Sequence, residues 1–101
     1  MAKHAEFING YLNAASLTAA YQNVLVTTED LDNIFISNSS DNNIWLSLPQ
    51  ENGSSEVLLP AGCSFAYDAW ANNRRISAGV IMAKHAGIVP SEGVISIIGV
   101  A

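Results

Sequence analysis

The stretch that decides the fold class is Asn33-Ile34-Phe35-Ile36-Ser37-Asn38-Ser39-Ser40-Asp41-Asn42-Asn43-Ile44-Trp45-Leu46-Ser47-Leu48. Two short β-favouring runs flank five polar residues that tolerate left-handed backbone and hydrogen-bond their own main chain. In the second run Ile44, Leu46 and Leu48 fall on one face, with Trp45 and Ser47 on the other, the period-2 alternation of a strand. The spacing predicts strands over Asn33–Asn38 and Ile44–Leu48, joined as a β-hairpin across Ser39–Asn43.

The same grammar extends outward. Thr18 to Thr27, with Tyr21, Val24, Leu25 and Val26, reads as a strand that Glu29-Asp30-Leu31-Asp32 breaks. Pro49 ends the third run, and Gln50 to Ser55 reads as a polar loop. Glu56 to Leu59 is a short strand stopped by Pro60-Ala61-Gly62. Ser64–Trp70 and Arg75–Lys84 alternate, with Ala71-Asn72-Asn73 as the turn between them. Gly87 to Gly93 is a loop, and Val94 to Val100 is a last strand too apolar for a wet edge. The fold class expected is all-β: a small β-sandwich or barrel-like sandwich of about seven short, mostly antiparallel strands.

Residues 1–15 break this pattern. Phe7, Ile8, Tyr11 and Leu12 would form one stripe on a short helix, which Gly10 weakens by roughly 1 kcal/mol; an extended arm ordered by a partner fits as well. The domain plan is therefore an N-terminal, non-strand arm or short helix over 1–15 and a single β-sandwich over 16–101.

Composition narrows the function. Of 101 residues, half are hydrophobic and 13% are charged, enough for one core and unlike a disordered chain. Nine acidic residues against four Lys/Arg, a formal charge of −5, argue against nucleic-acid binding, which needs clustered cations. No apolar run approaches the length of a membrane span, and Met1–Glu6 carries no apolar core of signal-peptide type. These features lead to the expectation of a chain made and kept in the cytosol until it is assembled. A small domain with one cysteine and no zinc-ligand spacing gains stability most readily by self-association.

The candidates for chemistry are thin. Cys63 with His85 or His4 would make a thiol–imidazole pair, yet Cys63 only follows a Pro-Ala-Gly turn into an apolar strand. Asp30, Asp32 and Asn33, and Asp41-Asn42-Asn43, resemble starts of calcium loops but lack the central Gly and distal Glu. Ser64, Asp68 and His85 supply triad residue types without a nucleophile elbow. No catalytic residue, cofactor or metal site is expected. Trp45 and Trp70 are odd apolar residues on outward faces, and Arg74-Arg75 is the basic pair at a turn tip. The residues expected to touch a partner are therefore Phe7, Ile8, Tyr11, Leu12, Trp45, Trp70, Arg74 and Arg75.

Three segments read together resemble small virion proteins of tailed bacteriophages, which decorate or cement heads or join tail parts. They are Tyr21-Gln22-Asn23-Val24-Leu25, then Asn33 to Ser47, then Val57-Leu58-Leu59-Pro60-Ala61-Gly62 leading into Phe65-Ala66-Tyr67-Asp68. The pair Arg75 to Ile81 and Gly93-Val94-Ile95-Ser96 fits the same order. The resemblance implies a non-enzymatic decoration protein on the major capsid lattice, located in the virion, trimeric or dimeric, with a tail or head-tail accessory part as its variant. It carries no functional residue with it. The other reading is a carbohydrate- or surface-binding sandwich with Trp45, Trp70 and Tyr67 as a stacking platform. If contact rather than catalysis is the work, Cys63→Ser and His85→Gln leave assembly intact. Loss of a specific enzymatic turnover in either variant would contradict that.

Overall fold

The computed structural model describes residues 6–72 and 74–101, without the side chains of Trp70 and Asn72. Among the described residues eight strands are formed: β1 (Phe7–Asn13), β2 (Gln22–Thr27), β3 (Asn33–Asn38), β4 (Ile44–Gln50), β5 (Gly53–Leu59), β6 (Ser64–Asp68), β7 (Gly79–His85) and β8 (Val94–Val100). A single 3-10 turn, Ala14–Ser16, follows β1, and a one-turn helix α1 (Ala69–Asn72) follows β6. The strands make two four-stranded antiparallel sheets in the orders β1-β8-β3-β6 and β2-β7-β4-β5. Successive strands mostly alternate between sheets, which is the wiring of a jelly roll. The all-β sandwich read from the sequence is the fold of the chain.

Two expectations about wiring fail. Strands β3 and β4 occupy the expected residues but do not form a hairpin: β3 pairs with β6 and β8, β4 with β5 and β7. The polar connection crosses from one sheet to the other, and the reason is Asn38. Its side chain is fully buried at the end of β3. Its amide Nδ2 donates to the carbonyls of Asn42 (3.0 Å), Leu59 (3.1 Å) and Pro60 (3.2 Å). Its Oδ1 accepts the Ser40 backbone N–H (3.0 Å) and the Ser40 hydroxyl (2.6 Å). A hairpin turn would leave this amide facing solvent; here it fixes a corner through which the chain changes sheets. The true tight hairpin is β4–β5, turned by Glu51-Asn52 with Gly53 at φ 132°. Pro49 lies within β4, past the end of its pairing with β7, where a missing N–H leaves no gap in the ladder.

The expected arm over 1–15 is mostly a strand where it is described, and its residues 1–5 lie outside the described residues. Residues 7–13 are a strand along the whole of β8, from Phe7↔Val100 to Asn13↔Val94. Ile8 and Leu12 point inward and pack on the core, while Phe7 and Tyr11 point out. Gly10, which spoils a helix, is what admits the strand: a Cβ there would lie 2.5 Å from the Val24 carbonyl oxygen. The glycine marks a close approach of β1 to β2 across the sandwich rim. Covered by β1 on one edge and β3 on the other, β8 is an interior strand, as its apolar sequence requires. Self-association is not needed to cover its edge. In the remaining segments, 75–78 forms only a bridge between Leu31 and Ile76 before β7 begins.

The core lies between the sheets. Ile34, Ile36, Ile95 and Ile97 from the first face Leu25, Ile44, Leu46, Leu48 and Ile81 from the second, with Leu31 sealing the end against Gly99. Each fully buried aliphatic side chain contributes about 1.5–3 kcal/mol of apolar transfer before ordering costs. Aliphatic side chains occupy the layer between the sheets, the position in which a barrel-like sandwich would hold a ligand.

The corner at Asn38 generates a prediction. Asn38→Ala takes a donor from the Asn42, Leu59 and Pro60 carbonyls, of which the first and last keep the Ser40 hydroxyl and the Cys63 N–H. It also leaves the Ser40 N–H without its acceptor, so unfolding stability should fall by about 1–3 kcal/mol. A urea midpoint unchanged within error would show that the corner does not hold the sheets together.

Candidate interaction surface

The outward side of the first sheet is built from residues that alternate with the core. Register lines them up in rows: Phe7 and Asn33 beside Val100, Asn9 and Phe35 beside Ile98, Ala66 beside Phe35, and Tyr11 and Ser37 beside Ser96. Phe7 is 70% exposed, Tyr11 72%, Phe35 47% and Ile98 46%. Asp68 is the one charged side chain among these outward residues, and it stands at a corner next to Asn33. Asn33, with its amide turned to donate, reaches Asp68 Oδ1 at 3.1 Å. Shallow grooves run between Phe35, Ala66 and Val100 and between Tyr11 and Ile98. A contiguous apolar face of this kind marks an interaction site more often than chance exposure does.

The outward side of the second sheet differs, because its own long side chains cover it. Lys84 Nζ lies 4.5 Å from the centre of the Tyr21 ring, a cation–π contact. Trp45 is half-buried between Leu58 and Lys84 on neighbouring strands. Burial of the Tyr21 hydroxyl, and then the facing Glu56 carboxylate, push its pKa up to about 12. Only Val26 and Leu58 stand out as exposed large apolar residues on this sheet.

A second apolar feature sits at the end of the sandwich. Ile88 and Val89 are exposed at the tip of the β7–β8 loop, while Pro90 beside them is buried. The loop is held firmly. Asp41 accepts the Ser91 N–H at 2.9 Å and also the Ser91 hydroxyl. The same two donors hold the Asp41 carboxyl below the usual carboxylate range. Gly93, at φ 95°, lets the loop press against the β3–β4 corner, where a Cβ would meet the Ser39 oxygen at 2.5 Å.

The residues expected to touch a partner are therefore scattered. Phe7 and Tyr11 lie on the bare face; Ile8 and Leu12 face the core and are half-buried. Trp45 belongs to the opposite sheet, and the Trp70 side chain lies outside the described residues. Arg75 Nε is 2.6 Å from Asp32 Oδ1, which raises the already high pKa of the guanidinium and ties the β6–β7 connection to the β2–β3 loop. The Arg74 carbonyl accepts the Tyr67 hydroxyl. Tyr67 packs inward on the first sheet while Trp45 faces outward on the second, so the two do not share a stacking platform.

Two of the side chains considered for chemistry hold the backbone of loops. Asp30 Oδ1 accepts the Ala78 N–H at 2.8 Å, and His85 Nδ1 accepts the Gly87 N–H at 3.1 Å. Cys63 is exposed, its carbonyl accepting the Asn38 N–H, and His4 lies outside the described residues. Among the described residues no group of three or more His, Cys, Asp or Glu could hold a metal ion. Phe35, Ile98, Val100, Ile88 and Val89 escaped the sequence reading. The available signal was the run of apolar residues at both parities in Ile34-Phe35-Ile36 and Ile97-Ile98, since a strand apolar on both sides needs cover on both.

No family model matches the sequence, and no curated protein matches it. Two similar solved structures belong to an epoxidase. One is the cobalt(II) form of HppE with its substrate, 15% identical at a TM-score of 0.48, covering 93% of this chain and 43% of that one. The other is hydroxypropylphosphonic acid epoxidase from S. wedmorenis with fosfomycin, 14% identical at a TM-score of 0.45, covering 93% and 42%. The chain spans less than half the length of either.

The Tyr21 environment is testable. A group held protonated in the folded state stabilises it fully below the unfolded pKa of 10 and loses that stabilisation as pH rises through the folded value near 12. Stability should fall between these pH values more steeply in the native chain than in Tyr21→Phe. Ultraviolet titration should show one of the three tyrosines ionising last, and that step should vanish in Y21F. A last step that persists in the variant would contradict the assignment.

Proposed function

We propose that this chain is a non-enzymatic structural protein that works by docking and assembly, and specifically a decoration or cement protein of a phage head. The observation that carries the reading is the presence of two separate exposed apolar surfaces on one closed, aliphatic-cored domain: the outer face of the first sheet and the pinned Ile88–Val89 tip. A part that cements a lattice must hold at least two neighbours at once, and each surface supplies one contact. The jelly-roll wiring is compatible, since the fold serves viral capsid domains, lectins and cupins; on its own it selects none of them. The head assignment within this reading comes from the resemblance of the strand and turn segments to phage virion proteins.

The sugar-binding alternative draws no support from a shared aromatic platform. Of the side chains considered for chemistry, Asp30, Asp32, Asp41 and His85 are engaged in holding loops. The apolar face, with Asp68 at one corner, suits a protein surface.

The test is to look for the chain by mass spectrometry in purified particles, then to add it back to particles that lack it. The native chain should remain bound after washing, whereas a variant carrying Ile88→Ser and Val89→Ser should be retained about tenfold less, the loss expected from truncating a small apolar hot spot. Absence from particles together with no retention on them would overturn the virion reading.

A further inference from the structure

We infer that the outer face of the β1-β8-β3-β6 sheet is a self-complementary interface, closed by the same face of a second copy. The inference deepens the assembly reading by naming the partner of this face and leaving the Ile88–Val89 tip for the lattice.

Area is the first argument. With a large aromatic side chain offering about 150–250 Å², the exposed fractions of Phe7, Tyr11, Phe35 and Ile98 amount to roughly 450 Å² per copy. Two such faces supply about 900 Å² before their neighbours Asn9, Val100 and Ala66 are added. With them the total reaches the lower end of stable interfaces, about 1,200 Å². The face alone is therefore large enough for a dimer of this chain.

Charge is the second. Each copy carries a formal charge of −5, yet among the described residues the face holds only Asp68, at one corner. Two sheets packed face to face are related by a two-fold axis lying in the plane between them. An axis along the strands sets β6 of one copy over β1 of the other, so Asp68 faces Phe7. An axis across the strands at the Phe35–Ile98 row places Asp68 over Ser64. Both arrangements keep the two Asp68 carboxylates about 13 Å apart, judged from strand spacing and rise. That exceeds the screening length at physiological salt, and both leave Phe35 and Ile98 at the centre, where buried anchors count most.

Two acidic bodies that meet through a face carrying one acidic side chain each repel at long range, so salt should tighten the contact. A basic partner on this chain would be released by salt instead. The salt dependence thus separates a second copy from an oppositely charged occupant.

The experiment is sedimentation equilibrium of the full chain from about 1 to 200 μM, concentrations spanning weak to moderate association, in low and high salt and with no particles present. The native chain should dimerise, more tightly at high salt. Phe35→Lys and Ile98→Lys should weaken dimerisation at least about 100-fold, as removal of a central anchor does. Val26→Lys, on an exposed apolar site of the other sheet, should leave it unchanged. A monomer throughout, a dimer that F35K and I98K leave intact, or equal damage by V26K would each overturn the inference. If either lysine variant fails to fold, hydroxyl-radical footprinting of the native chain decides. Labelling of Tyr11 and Phe35 should drop as concentration rises, and labelling that stays constant would overturn the inference. Because particles are absent, failure here leaves retention through Ile88 and Val89 untouched, and the two readings fall separately.

Discussion

The corner at Asn38 is the constraint on which the rest of the sandwich depends. A single buried amide donates to carbonyls on the β3–β4 connection and on the end of β5, and accepts from Ser40 in that connection, so one side chain ties two stretches of chain together. Leaving any of those groups unpaired in the interior would cost more than a hydrogen bond typically gains, which makes the geometry close to all-or-none. Because the chain turns there from one sheet into the other, Ile34 and Ile36 come to face Ile44 and Leu46 across the core rather than lie beside them. Gly93 completes the corner by letting the β7–β8 loop approach the Ser39 backbone.

From that wiring follows the unequal treatment of the two outer faces. On the second sheet Tyr21, Lys84 and Trp45 lie over their own strands and leave little bare apolar surface. On the first sheet the outward residues are short, aromatic or aliphatic, and nothing in the described chain folds over them. The same wiring brings the β3–β4 and β7–β8 loops together, where Asp41 and Ser91 hold Ile88 and Val89 out in a fixed position. A rigid loop gives up little freedom on binding, so exposed side chains there serve contact better than the same residues on a loose segment.

Strand positions were largely legible in the sequence; strand partners were not. Residues 33–38, 44–48 and 94–100 announce themselves by alternation and by bounding turn residues, signals that are local. Pairing is non-local, and the polar run 39–43 suits a hairpin turn and a sheet-crossing corner equally well until Asn38 is seen to be buried. The N-terminal strand was hidden because Gly10 and the Phe7/Ile8 and Tyr11/Leu12 doublets disguise its period-2 pattern. Only the backbone of β2, close behind Gly10, explains the glycine. The site was legible in part. Phe7 and Tyr11 stood out as wet apolar residues, whereas Phe35 and Ile98 were absorbed into strands assumed to be buried on both sides.

The proposed mode of action is docking through the apolar first-sheet face rather than a reaction. The most direct measurement is an electron cryo-microscopy map of the chain in its assembled form, at a resolution that shows side chains. Phe35, Ile98 and Tyr11 should lie against protein from another chain, with no water layer between them. A map in which that face looks into solvent, while contacts are made through the second sheet or through polar loops alone, would contradict it.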